Sequence, residues 1–250
     1  MKKALFVLFA TFCLSGYAQE STRKFRFGLK AAPVLGWIKP DYRSMPDGYS
    51  VDGGGARFGF VWGPAAEWML NETFIISTGV DISYTSGKLK GKGKGFVDNT
   101  SVLYDWEQLY RVRFLDIPLM LKFRTKEIGY FRYFGLFGMG AGFRTSAKTE
   151  FSTFQGTQEL KDRNDQSKKH VNLFRGSMLV GGGVEYNLSG NTSLVASIVF
   201  NNGLTNMIKD QGNLLLNNKP IYLQSTGQDP VNLKESGVNN YFMLNVGVLF

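Results

Sequence analysis

The sequence predicts an all-β protein that forms a closed, eight-stranded antiparallel barrel of the up-and-down type, inserted in a bacterial outer membrane. Three observations lead to this fold class. Apolar residues alternate with small or polar ones along eight segments, charged residues fall on the small-residue face, and the connections are alternately long and short. After residue 18 no apolar stretch approaches the roughly 20 residues that a spanning helix needs, so the chain would cross a bilayer with strands.

The alternation is clearest between Thr73 and Ser86, where even positions from Phe74 to Tyr84 are mostly apolar and odd positions mostly small or polar. Successive side chains of a strand point to opposite faces. The apolar face would meet the core of a soluble sandwich, or the lipid around a barrel. The predicted strands are Phe25–Trp37, Gly55–Met69, Thr73–Ser86, Leu109–Arg124, Gly129–Ser146, Asn172–Leu188, Thr192–Thr205 and Val238–Phe250.

Charged residues on the small-residue faces favour the barrel over the sandwich. In a sandwich core each unpaired ion would cost several kcal/mol of desolvation, whereas a barrel interior can pair acids with bases. The network predicted to face inward carries both signs and consists of Arg26, Lys30, Glu67, Asp81, Asp116, Lys122, Arg132 and Glu185. Eight strands enclose a lumen just wide enough for side chains, so we expect a filled interior and no wide diffusion pore.

The lengths of the connections predict the orientation of the barrel. Long, polar connections span residues 38–54, 87–108, 147–171 and 206–237, and brief ones span 70–72, 125–128 and 189–191. Outer-membrane barrels have long loops outside the cell and tight turns in the periplasm. Eight strands then place both termini in the periplasm and let the first strand pair with the last.

The beginning of the chain predicts export. A basic start is followed by an apolar stretch and then by small residues up to Ala18, which is the pattern of a secretory signal peptide. We therefore expect cleavage after Ala18 and a single outer-membrane barrel domain over residues 19–250. The apolar stretch is too short for a membrane anchor, and the residues before Cys13 match a lipoprotein signal poorly.

Charge and export together predict membrane partners. A formal net charge of +9 could suit nucleic acid, but an exported basic chain meets anionic lipid headgroups. The densest positive cluster, in the predicted loop 87–108, could contact lipopolysaccharide phosphates; a solvated, glycine-rich loop tip is the alternative. Its lysines are Lys88, Lys90, Lys92 and Lys94. The terminal Phe250 resembles the signal that the outer-membrane assembly machinery reads, although strands often end on aromatic residues.

Catalytic, cofactor-binding and metal-ligating patterns are weak, and we predict none of these sites. His170 is the only histidine and lies at a loop–strand edge, where a solvated role is expected. A barrel hydrolase or acyltransferase that uses His170 is the alternative. One histidine and a single cysteine within the predicted signal peptide supply a transition-metal site poorly. The glycines between 138 and 142 lie inside an alternating strand and open no helix, unlike a dinucleotide-binding loop.

The segment Tyr110–Lys122, YRVRFLDIPLMLK, carries a resemblance to a known family. It resembles the aromatic-Leu-acid-Ile-Pro-Leu-x-Leu-Lys strand of PorT-like outer-membrane barrels of Bacteroidetes, which commonly have Glu where this chain has Asp116. The segment Phe27–Pro33 resembles the first strand of that family. The resemblance implies an eight-stranded barrel and, through PorT itself, an association with type IX protein secretion.

Two hypotheses about function follow from the sequence. One is a non-enzymatic outer-membrane barrel that serves as an accessory of type IX secretion and contacts components of that system. The other is a surface-binding or adhesion barrel that acts through its long external loops. Fold resemblance alone does not decide between them.

Overall fold

The computed structural model describes residues 24–40, 50–97, 100–155, 158–164, 171–190, 192–208, 215–216, 219–220 and 236–250. The predicted signal peptide and His170 lie outside the described residues. Within the described ranges the strands are β1 (Phe25–Pro40), β2 (Ser50–Gly53), β3 (Arg57–Met69), β4 (Phe74–Gly79), β5 (Asp81–Val97), β6 (Thr100–Arg124), β7 (Phe131–Gln155), β8 (Gln158–Asn164), β9 (Phe174–Ser189), β10 (Thr192–Gly203), β11 (Leu215–Leu216), β12 (Lys219–Pro220) and β13 (Gly237–Leu249). No helix among the described residues is long and apolar enough to span a bilayer.

Antiparallel pairing closes the strands into a ring. Segments β4 and β5 follow one another between β3 and β6 and together count as one strand of the ring. The order around the ring is then β1, β3, β4/β5, β6, β7, β9, β10 and β13, and β13 pairs with β1. At this seam Leu29 lies opposite Val248, and the backbone N–H of Phe250 donates to the carbonyl of Phe27 at 2.7 Å. The predicted closed, eight-stranded up-and-down barrel is confirmed.

The short connections have turn chemistry that the sequence supplies locally. Between β3 and β4 the side-chain oxygen of Asn71 accepts hydrogen bonds from the backbone N–H groups of Thr73 and Phe74, at 2.9 and 2.7 Å. Gly129 precedes β7 and Gly190 follows β9, with φ angles of 67° and 58°. Glycine adopts this left-handed region without a steric penalty. These turns lie at the end of the barrel where β1 begins and β13 ends.

The third predicted strand is split into β4 and β5 at Val80 without a change of register. Prolines lie at this height on both neighbouring strands, Pro64 in β3 and Pro118 in β6, and proline has no N–H to give to the ladder. The N–H of Val80 donates to the carbonyl of Pro64 at 3.1 Å, and the hydroxyl of Thr78 donates to the carbonyl of Pro118 at 2.7 Å. The two prolines therefore interrupt the hydrogen bonds of the ladder without changing the register of the strands.

Three strands extend much further than predicted, and this corrects the boundaries of two predicted loops. The predicted loop 87–108 is a hairpin, because β5 continues to Val97 and β6 begins at Thr100. Part of the predicted loop 147–171 is a second hairpin, formed by the end of β7 and by β8. We define the distal sheet as β2, residues 88–97 of β5, 100–109 of β6, 150–155 of β7, and β8. It lies at the end of the barrel opposite the short turns.

The two faces of the barrel wall differ in the way that a membrane requires. Many large apolar side chains are exposed on the outer face, a belt much larger than the apolar patches of soluble monomers. It includes Phe58, Phe60, Trp62, Leu119, Met139, Ile198 and Val246. Buried residues fill the inner face, where polar and charged groups alternate with apolar ones.

Candidate functional site: the charged lumen and the basic outer surface

A cluster of five charged side chains fills the lumen near the short turns. Lys122 in β6 donates to Glu67 Oε1 in β3 at 2.7 Å and also to Glu185 in β9. Arg26 in β1 is paired with Glu67 and donates to Glu185 Oε1 at 3.0 Å, while Arg124 donates to Glu185 Oε2 at 3.2 Å. All five residues are buried. We call them the basal cluster. It joins strands from both sides of the ring.

A second buried group, which we call the central cluster, is built around Arg175 in β9. Both oxygens of Asp116 accept from its guanidinium, at 2.8 and 2.7 Å, and Asn239 Oδ1 accepts at 3.0 Å. The guanidinium lies 4.2 Å from the ring centroid of Phe114 and 3.2 Å from the hydroxyl oxygen of Tyr241. Arg175 is only 1% exposed, so these partners replace the water that its charge would otherwise need.

The remaining predicted inward residues occupy separate positions. Lys30 and Asp81 form an ion pair of 2.9 Å between β1 and β5. Arg132 stands opposite Glu185 in the register of β7 and β9, but its guanidinium contacts Glu127 of the preceding turn at 2.6 Å. Its side chain is 30% exposed, so it lies at the rim of the barrel, outside the basal cluster.

Sequence reasoning placed Asp116 and Lys122 inward but did not include Arg175 or Arg124 in the network. Arg175 lies on the small-residue face of its strand: Phe174 before it points outward, and Ser177 on the same face is buried. This position in the alternation could have identified Arg175 as an inward residue. Arg124 is two residues after Lys122 and therefore points to the same inner face, but it is the last residue of its strand. Position in the alternation therefore identifies inward residues, whereas the choice of partner depends on the spatial arrangement of strands that are distant in sequence.

Apolar layers separate and cover the charged clusters. One layer packs within the ring and includes Met120, Phe134, Leu136, Leu179 and Met243. Another lies toward the distal sheet and includes Ile38, Leu89, Trp106, Tyr110, Met207 and Ile208. A cavity of about 80 Å³ remains in the described lumen, lined by Lys30, Asp81 and Asn201 among others. It has room for a few water molecules.

The predicted lysine cluster lies on a paired strand. Lys88 forms an ion pair with Glu107, Lys90 stands directly opposite Glu107, and Lys92 stands opposite Asp105. Lys90 and Lys92 are exposed. The side chain of Lys94 lies outside the described residues. The predicted lipopolysaccharide contact of these lysines remains a prediction, and Glu107 is the ion-pair partner of Lys88.

The charged side chains of the described lumen are paired with one another. Among them, no group of three or more His, Cys, Asp or Glu side chains is arranged to hold a metal ion. The carboxylates of the lumen accept from lysine and arginine donors.

A closed antiparallel ring with a paired, charged interior and an apolar outer belt defines an integral outer-membrane β-barrel. The sequence agrees with this class: the chain belongs to the outer membrane protein beta-barrel domain family, whose pattern matches residues 17–209. The protein is therefore located in the outer membrane, as the sequence predicted.

Solved outer-membrane proteins resemble the chain over most of its length, at low sequence identity. Neisserial surface protein A is 14% identical, with 92% of this chain and 98% of that chain covered and a TM-score of 0.38. Ail, the attachment invasion locus protein of Yersinia pestis, is 17% identical, with 91% and 100% covered and a TM-score of 0.34. OprG of Pseudomonas aeruginosa is 13% identical, with 90% and 95% covered and a TM-score of 0.42. No curated protein matches the sequence significantly.

Proposed function

We propose that this protein is a non-enzymatic, surface-binding barrel that presents the distal sheet to a partner outside the cell. The observation that carries the proposal is the continuation of β5, β6 and β7 beyond the lipid-facing belt as a paired sheet, flanked by β2 and β8. Extended hairpins cost chain entropy to order. A barrel that only spanned the membrane would not need them.

The filled lumen supports the same proposal. The basal and central clusters and the two apolar layers occupy the described interior, leaving a cavity of about 80 Å³. Such a packing of the described residues argues against the passage of a solute of sugar size. The exposed parts of the molecule, outside the membrane, are then the surfaces available for function.

Shortening one hairpin tests the proposal. Residues 92–105 would be replaced by Asn-Gly, a favoured two-residue turn, which joins the directly opposed Gly91 and Trp106. This removes the tip of the distal sheet and leaves the barrel strands intact. We expect bacteria that express this variant to adhere less to epithelial monolayers and to lipopolysaccharide-coated plates than bacteria with the parent protein. The matched control is Lys126→Gln in the short turn at the other end. Unchanged adhesion of a variant that still folds and reaches the surface would contradict the proposal.

A second candidate is an accessory role in type IX protein secretion. It is favoured by the resemblance of Tyr110–Lys122 to PorT-like barrels, although Asp116 and Lys122 of that segment serve the buried clusters. The motif thus has a packing role whatever the protein does. Deleting the gene and measuring secreted cargo tests this candidate, and undisturbed secretion would eliminate it.

The enzymatic alternative rests on His170. We expect His170→Ala to leave the lipid and peptide profile of the outer membrane unchanged, since a non-enzymatic barrel has no product to lose. A missing hydrolysis or acylation product in the variant would overturn the non-enzymatic assignment.

A further inference from the structure

Arg113 lies on the outer face of β6 at the upper edge of the apolar belt. Toward the short turns the same face of β6 carries Ile117 and Leu119, which are 44% and 61% exposed. Toward the distal sheet it carries the exposed Arg111. A side chain at this height is level with the headgroups of the outer leaflet.

Further groups surround Arg113 on the neighbouring strands. Tyr84 in β5 is its direct cross-strand partner, with the guanidinium carbon 5.8 Å from the ring centroid. On β7, Lys148 stands directly opposite Arg111, and both are exposed. The surface around Arg113 therefore carries further exposed cationic residues.

Two acids of this surface pair with cations other than Arg113. Glu107 pairs with Lys88, and Glu150 lies 3.2 Å from Arg111. Arg113, in contrast, has no ion pair with any carboxylate of the described residues. Its Nε donates to the hydroxyl of Thr145 at 3.0 Å. Its charge is therefore available to a partner from outside the chain.

We propose that Arg113 and Arg111, flanked by Lys148 and Tyr84, bind a phosphate group of a lipopolysaccharide molecule in the outer leaflet. Guanidinium groups hold phosphate through two parallel hydrogen bonds, and the adjacent belt would contact the acyl chains of the same molecule. The site is nearer to the short turns than Lys88, Lys90 and Lys92, the lysines that the sequence predicted to contact lipopolysaccharide. It is independent of the proposed binding by the distal sheet, because it is on the flank of the barrel.

Native mass spectrometry of the purified protein in detergent, with diphosphorylated lipid A as the added lipid, tests the site. We expect Arg113→Gln to weaken lipid A binding about tenfold, as the loss of a charge-assisted pair implies, and Arg111→Gln/Arg113→Gln to weaken it further. Arg113→Lys should fall between the parent and Arg113→Gln, because it keeps the charge and loses the paired geometry.

The matched control is Lys39→Gln, which removes an exposed cation at the same end of the barrel but on β1. It should bind lipid A like the parent protein. Lipid A stripped of its phosphates should bind equally to the parent and to the double variant. Each variant is first checked for the folded form, which migrates faster than the heated chain in a gel. Parent-like affinity of the folded double variant, or an equal loss in Lys39→Gln, would overturn the proposal.

Discussion

At the level of single residues, the interior depends most on ions that are buried together. Arg175 has almost no access to water, Asp116 is buried beside it, and the two rely on each other and on a few neutral groups. The alternation of the sequence made Asp116 predictable as an inward residue, because parity along a strand is a local property. The pairing with Arg175 was not predictable in the same way, since 59 positions separate them and only the ring closes that distance.

Removing Arg175 should therefore cost much more than removing an arginine at the rim. Arg175→Met leaves the carboxylate of Asp116 buried without its cation, so we expect a loss of about 3–5 kcal/mol in the free energy of unfolding. Adding Asp116→Asn should recover part of that loss, because it removes the buried carboxylate that has lost its cation. Urea unfolding in phospholipid vesicles, followed by tryptophan fluorescence, measures both variants.

Arg132→Gln serves as the reference for that experiment. Arg132 is paired with Glu127 at the exposed rim, and pairs of this kind contribute about 0–1 kcal/mol. If Arg175→Met and Arg132→Gln unfold at the same urea concentration, the central cluster is not a major source of stability.

At the level of elements, the sequence predicted the number, order and polarity of the barrel strands but not the length of three of them. Inside the membrane, an apolar face alternates with a small or polar one, and that contrast is visible in the sequence. Beyond the membrane both faces of β5 can be polar. The sequence after Gly87, in which Lys alternates with Leu and Gly, therefore has the composition of a loop. The ladder to β6 nevertheless continues in one register as far as Val97.

A cysteine pair tests that register in the distal sheet. Lys90 stands directly opposite Glu107, and directly opposed residues of an antiparallel ladder have the Cα separation that a disulfide needs. We expect Lys90→Cys/Glu107→Cys to cross-link under mild oxidation in intact membranes. Lys88→Cys/Asp105→Cys, whose positions are offset by four residues in the same ladder, should not. Efficient cross-linking of both pairs would indicate a mobile loop in place of a paired sheet.

The close approach of β6 and β7 gives a second prediction about elements. A Cβ at Gly142 would lie 2.1 Å from Asp116 Oδ1, whereas a Cβ at Gly135 of the same strand would meet no atom within 4 Å. Gly142→Ala must therefore displace a carboxylate that Arg175 holds, and we expect a cost of about 1–3 kcal/mol. Gly135→Ala should change the free energy of unfolding little. Equal effects in the same urea titration would contradict the packing of this wall.

At the level of the whole molecule, the described interior is arranged in layers along the barrel axis. The basal cluster, an apolar layer, the central cluster and a second apolar layer succeed one another from the short turns toward the distal sheet. The charged layers link strands on opposite sides of the ring. The apolar layer between them leaves a cavity of about 80 Å³, which Lys122 and Asp116 also border. Both kinds of layer oppose the passage of solutes, which supports the proposed function at the surface.

This layering predicts that the protein is not a general pore. Liposomes that contain the purified protein should swell in an isotonic sugar solution no faster than protein-free liposomes, because the remaining cavity of about 80 Å³ holds only a few waters. A 16-stranded porin at the same molar ratio provides the positive control, since barrels of that size leave an aqueous channel. Sugar entry at a rate near that of the porin would mean that the layers open in a membrane, and the filled lumen would then no longer support a surface-binding role.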